Sequence, residues 1–195
     1  MKILRSFLTL TAAMLFLSTL VFSQDMKPLI SMDASLAQTQ AWLAKAIDKN
    51  STYSSGRNGN ITDSISAVKF DGCKLSYAIE NERKAERFGE AWPGGANENG
   101  AASRPPNYYT TTTTLAFDLK EMDLNGIVLT PLISNSNMQM ITIRSREGGQ
   151  SVSYSTNYGS FSRSGLRFAA TMAVKNEAAE QIKAGLAQAM TLCQK

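Results

Sequence analysis

Between Ser66 and Met172 the apolar residues recur at every second position in short runs separated by turn residues. Period two is that of a strand with one buried face, so this pattern leaves few folds open. The runs SAVKF, CKLSYAIE, YTTTTTLAFDLKEMD, IVLTPL, MQMITIRS, SVSYSTN and SFSRSGLRFAATM give seven strands. On either side the period becomes helical. Ser35 and Gln38 are spaced for a capping box, and Leu36, Leu43, Ala46 and Ile47 form one apolar stripe. Trp42 borders that stripe and is expected to anchor the core rather than stack a ligand. At the other end Asn176 is the expected N-cap, and Ile182, Leu186, Ala189, Met190 and Cys193 follow a second stripe. The expected class is α+β: a seven-stranded antiparallel sheet or barrel with an N-terminal helix and a C-terminal capping helix.

Within the first hairpin, Asp71-Gly72 suits a two-residue turn, which places Phe70 opposite Cys73, Val68 opposite Leu75 and Ser66 opposite Tyr77. Phe70, Val68, Cys73, Leu75, Tyr77 and Ile79 then share the core face, and Lys69, Lys74, Ser76 and Glu80 the other. Asn125-Gly126 is expected to turn into IVLTPL, and the polar KNSTYSSGRNGN to be a linker.

The first residues set Lys2 and Arg5 before an apolar run ending in Val21 and Ser23, the layout of a secretory signal peptide cleaved after Ser23. The run is too short and too interrupted by threonine and serine for a stable membrane anchor. Cleavage removes two bases and no acid, taking the formal charge from +4 to +2. No dense basic patch remains to suggest nucleic acid. Roughly 170 residues remain, enough for one domain. The expected division is a signal peptide over 1–23, an N-terminal helix and linker over 24–60, and the β domain with its closing helix over 61–195, the last two forming one globular unit. The expected location is periplasmic or extracellular.

The chain contains no histidine, which removes imidazole-based triads and zinc sites, and its two cysteines are too far apart for a C-x-x-C redox pair. Ser66 and Lys69 match S-x-x-K, but the companion motifs of penicillin-binding enzymes are absent, and residues three apart on a regular strand point to opposite faces. Asp118, Glu121 and Asp123 cluster near a strand end, where solvated carboxylates are the simpler reading than an acid–base pair. The sequons at Asn50 and Asn60 matter only in a glycosylating host. No catalytic residue, metal or cofactor is expected.

Export puts both cysteines where disulfides persist, and both fall on predicted core faces. Cys73 and Cys193 are therefore expected to form one bridge fastening the last helix to the sheet; two buried free thiols are the alternative. Residues 81–108 make a connection long enough to be functional. Trp92 within it and Tyr108 and Tyr109 at its end are the candidate partner contacts, Trp92 being weighed against a loop-anchoring role.

Seven strands followed by one amphipathic helix resemble the pleckstrin-homology-like barrel over about residues 61–195. AWLAKAI, FDGC, DLKEMD and the terminal LCQK are similar to uncharacterised exported bacterial proteins of that plan. Two features depart from lipid-binding pleckstrin-homology domains. The first link is Asp71-Gly72 instead of a basic loop, and the closing helix has no tryptophan. Phosphoinositide binding is not implied. The expected function is a non-enzymatic exported domain that binds a protein or peptide through a sheet edge or the 81–108 loop. The alternatives are a carrier of a small apolar ligand inside the barrel and a hydrolase using Asp118 and Glu121.

Overall fold

The computed structural model describes residues 33–55, 61–84, 108–158 and 161–195, which lie within one unit, Met32–Lys195. The expected signal peptide, Asn60 and Trp92 lie outside the described residues.

Helix α1 (Leu36–Asn50) starts as expected. The Ser35 hydroxyl accepts from the Gln38 backbone N–H, and the Gln38 side chain accepts from that of Ser35. Leu43 and Ile47 are buried on its inner face, with Leu36, Trp42 and Ala46 packed partly against the same core. The chain then forms β1 (Tyr53–Ser55), β2 (Ile61–Asp71), β3 (Lys74–Lys84), β4 (Tyr108–Asp118), β5 (Met122–Pro131), β6 (Met138–Ser145), β7 (Val152–Tyr158), β8 (Phe161–Arg167) and β9 (Ala169–Lys175), and ends in α2 (Asn176–Cys193). One sheet has the order β1-β2-β3-β4-β7-β8 and the other β5-β6-β9, and every pairing is antiparallel.

The α+β class and the antiparallel pairing hold, but the described residues form nine strands rather than seven and do not close into a barrel. The two extra strands have separate causes. Tyr53–Ser55, expected as linker, pairs with Asp63, Thr62 and Ile61; three residues are too few to show a period. SFSRSGLRFAATM, expected as one strand, breaks at Phe168, sending β8 to one sheet and β9 to the other. The Phe168 carbonyl accepts from the Ser145 backbone N–H (2.8 Å), which fixes the bend.

The first hairpin also differs from expectation. Asp71 pairs with Lys74 and Phe70 with Leu75, so the turn is Gly72-Cys73 rather than Asp71-Gly72. Gly72 has φ +54° at the first central position, where a II′-like turn favours glycine. The turn centre moves by one residue, which preserves the alternation, and Leu75 and Tyr77 are buried as expected. Cys73, however, sits in the turn and not on a strand face. Farther along, the register shifts between Ser66 and Lys69: Ala67 and Val68 together oppose Tyr77, with Ala67 at φ +52°. This bulge carries the inward set from Ile65 to Val68 and Phe70, which regular alternation could not place on one face. It also puts Ser66 and Lys69 on the same face, correcting the expectation from strand period. The Ser66 hydroxyl donates to the Glu80 carboxylate (2.6 Å).

Asn125-Gly126 is no hairpin turn but an irregularity inside β5. Gly126 is buried there, and a Cβ on it would stand 3.0 Å from Cβ of Arg144. The start of α2 is likewise shifted: Lys175 is the N-cap and makes no side-chain cap. Asn176 instead binds the β5–β6 connection through its amide, which donates to the Ser136 carbonyl (2.8 Å).

The core joins Leu43 and Ile47, Ile182, Leu186 and Met190, the six-stranded sheet's Tyr77, Leu115 and Phe117, and the three-stranded sheet's Ile141, Ile143 and Met172. Burial of each such side chain contributes roughly 1.5–3 kcal/mol. The Tyr77 and Phe117 rings meet edge to face at 6.4 Å. The Tyr77 hydroxyl donates to the Thr171 carbonyl (2.8 Å), tying the two sheets together. Buried hydroxyls are partnered: Ser51 both accepts from the Ile65 N–H (3.2 Å) and donates to the Ile65 carbonyl (3.3 Å), and Thr156 bonds Thr113 (2.9 Å).

Candidate functional site

Two of the expected site residues meet. Cys73 and Cys193 are disulfide-bonded with Cα atoms 5.7 Å apart, 120 residues apart in the chain. The helical stripe aims Cys193 at the sheet, and the first turn delivers Cys73. Around the bridge the Leu119 N–H donates to the Cys73 carbonyl (2.9 Å), and the Gln194 amide donates to the carbonyls of Leu119 (3.4 Å) and Met122 (3.2 Å). This end of the domain is a structural clasp.

The other candidates do not assemble. The backbones of Tyr108 and Tyr109 pair with Lys84 and Arg83, while their side chains lie outside the described residues. Asp118 accepts from the Lys120 N–H (2.9 Å) and Asp123 from the Asn125 N–H (2.9 Å), each stabilising its own turn, while Glu121 is exposed. Among the described residues no three or more Asp, Glu, His or Cys gather to hold a metal ion, and no helix is long and apolar enough to cross a membrane.

Clefts lie elsewhere among the described residues. One of about 60 Å³ opens between the sheets beside Tyr53, Asp63, Ile79 and Met140. Tyr53 bonds Asp63 there, and burial together with that carboxylate pushes its hydroxyl up to about 12. A groove of about 450 Å³ runs past Asn135, Lys175 and Glu177, and one of about 330 Å³ past Asp123, Arg144 and Phe168.

The feature that sequence reasoning passed over is the outer hairpin, β7 with β8. Among the described residues β8 ends the six-stranded order, so one side of its backbone has no neighbouring strand there, and residues 162–167 are all exposed. Its register with β7 sets Arg163 across from Thr156, Gly165 from Tyr154 and Arg167 from Val152. Val152 and Thr156 are buried, so the core face ends at β7, and β8 carries arginines where a strand over the core would carry apolar residues. The Tyr154 ring lies over Gly165, and the Arg167 guanidinium sits 4.1 Å from the ring centroid. The Arg167 charge is also felt at Tyr77: burial pushes that hydroxyl well above the usual phenol range, and the arginine pulls it part of the way back. No acid occurs in either strand. On the opposite face Ser162, Ser164 and Leu166 point away, with Leu166 57% exposed.

The signal for this edge was present in SRSGLR, whose alternation is arginine, glycine, arginine on one parity. Read as a strand leaving the core, it marks an edge. No protein-family model, curated protein or solved structure matches this chain.

Proposed function

We propose that the chain is an exported, non-enzymatic domain that binds a protein or peptide by accepting an extended segment along the β8 edge. The observation that carries this reading is the exposed run from Ser162 to Arg167, unpaired on its outer side among the described residues and held in register by Tyr154 on its inner side. An open edge offers a row of backbone donors and acceptors, and strand addition is a common route to peptide recognition. A cystine fastening the last helix suits the oxidising periplasm or extracellular space. Two antiparallel sheets followed by a closing helix support a pleckstrin-homology-like plan, with nine strands and an open edge in place of closure.

The edge is preferred to an apolar-ligand interior because the cleft between the sheets, about 60 Å³, is far below the roughly 300–1,000 Å³ of small-molecule pockets. It is preferred to a hydrolase because Asp118 and Asp123 are occupied with their own turns. A photo-crosslinking residue at Ser164 tests the reading, with one at exposed Thr114 on β4, a strand paired on both sides, as control. Protein adducts are expected from position 164 alone. Equal adducts from both positions, or none from 164 in any exported fraction, would overturn it.

A further inference from the structure

The chemistry of the β8 edge narrows what can pair with it. Residues four apart on one strand share a face about 13 Å from each other. Arg163 and Arg167 have this relation, with Gly165 between them, and each is exposed. An added strand has the same repeat, so two of its residues four apart stand opposite the two arginines, where opposite charges stabilise and like charges repel.

We infer that the segment accepted at this edge is acidic, carrying carboxylates four residues apart; this rests on the reading that β8 accepts a strand at all. Three observations converge. The hairpin's charge is wholly positive, since β7 and β8 together contain two arginines and no acid. Arg167 is held over the Tyr154 ring, a contact that takes up none of the carboxylates its guanidinium N–H groups could bind. Gly165 adds no side chain between the arginines, so the central residue of the partner meets the Tyr154 ring lying there, which favours an apolar residue. The recognised pattern is acid, any, apolar, any, acid. A second copy of this chain is disfavoured in the antiparallel register centred on Gly165, because that register sets Arg163 against Arg167.

Fluorescence anisotropy with the disulfide-intact protein and labelled seven-residue β-forming peptides tests this. Three probes are compared: one with glutamates four apart around a central valine, the same peptide with glutamines, and the glutamate peptide N-methylated at alternate backbone nitrogens. Expected are binding of the first, binding at least about tenfold weaker for the second, and loss for the third, with amide shifts confined to 162–167. In the variant R163E/R167E the preference should invert toward a peptide with lysines at the two positions.

Equal binding of glutamate and glutamine peptides, with loss on N-methylation, would overturn the acidic pattern and leave strand addition standing. Equal binding of the glutamate peptide and its N-methylated form would overturn strand addition itself. Absence of binding by all three would overturn both and identify the arginines as charges that protect an edge from pairing.

Discussion

Tyr154 lies directly across from Gly165, its ring so close that a Cβ on the glycine would stand 3.0 Å from the ring carbon Cε1. An aromatic ring laid over a cross-strand glycine covers the backbone that the glycine leaves bare and fixes the register of an edge strand. Arg167 then covers the ring from 4.1 Å. The three side-chain positions form one stack that holds β8 to the sheet while leaving its outer side open.

Because that stack is coupled, its substitutions should not add. Gly165→Val is expected to displace the ring and cost about 1–3 kcal/mol, as overpacking does. In the double variant with Tyr154→Ala most of the added cost should disappear, giving an interaction energy above about 0.5 kcal/mol in a denaturant-midpoint cycle. Simple additivity would show that the ring does not occupy this place.

The clasp between Cys73 and Cys193 closes a loop of 120 residues. In the chain-entropy account such a loop contributes roughly 4–5 kcal/mol, an upper value since native strain subtracts from it. Replacing both cysteines by alanine should therefore lower the urea midpoint strongly, and reductant should bring the native protein to a similar midpoint. Peptide mapping without reductant should recover Cys73 and Cys193 in one linked pair.

Alkaline pH should expose the buried tyrosines. Both Tyr53 and Tyr77 hold their protons above the free phenol value of about 10 when folded, Tyr53 to about 12. Above pH 10 the unfolded chain therefore loses protons that the folded one keeps, and stability falls as pH rises. The contribution is complete below about pH 10. For fully buried Tyr77 the slope approaches 1.4 kcal/mol per pH unit, and half-buried Tyr53 adds a smaller, solvent-screened share. Tyr77→Phe should lose about 1 kcal/mol at neutral pH, through the bond to Thr171, and flatten the alkaline decline measured by denaturant midpoints.

The bulge in β2 makes an opposite prediction. Ala67 is exposed and sits at φ +52°, where a Cβ is costly and glycine is at ease. Ala67→Gly should stabilise by about 0.5–1 kcal/mol after the extra freedom it gives the unfolded chain is subtracted. A destabilisation of the same size would place the positive angle elsewhere.

Much of this architecture was legible before any coordinate. Ser35 and Gln38 gave the start of α1 because a capping box is satisfied within four residues. Ile182, Leu186, Ala189, Met190 and Cys193 gave the buried stripe of α2 because helical period alone assigns a face. Two cysteines allow one pairing, and Cys73 makes it with Cys193, although from the turn rather than from the strand face expected for it. The outer hairpin was not legible as a site: Tyr154, Arg163, Gly165 and Arg167 acquire meaning only when β8 proves to be last in its sheet.

What the sequence determined by itself was therefore local: the capping box of α1, strand period, the inward stripe of each helix, and a thiol pair with no third partner. Tertiary structure decided where strands change sheets at Phe168, which two-residue turn the first hairpin uses, and that β8 ends its sheet among the described residues. The reason is physical. Period and capping are settled by side chains a few residues apart, whereas a turn one residue early, a bulge at Ala67 or a bend at Phe168 costs little locally. Such choices are made by the long-range partners they satisfy: Leu119 on the Cys73 carbonyl, Tyr77 opposite the bulge, and Ser145 on the Phe168 carbonyl.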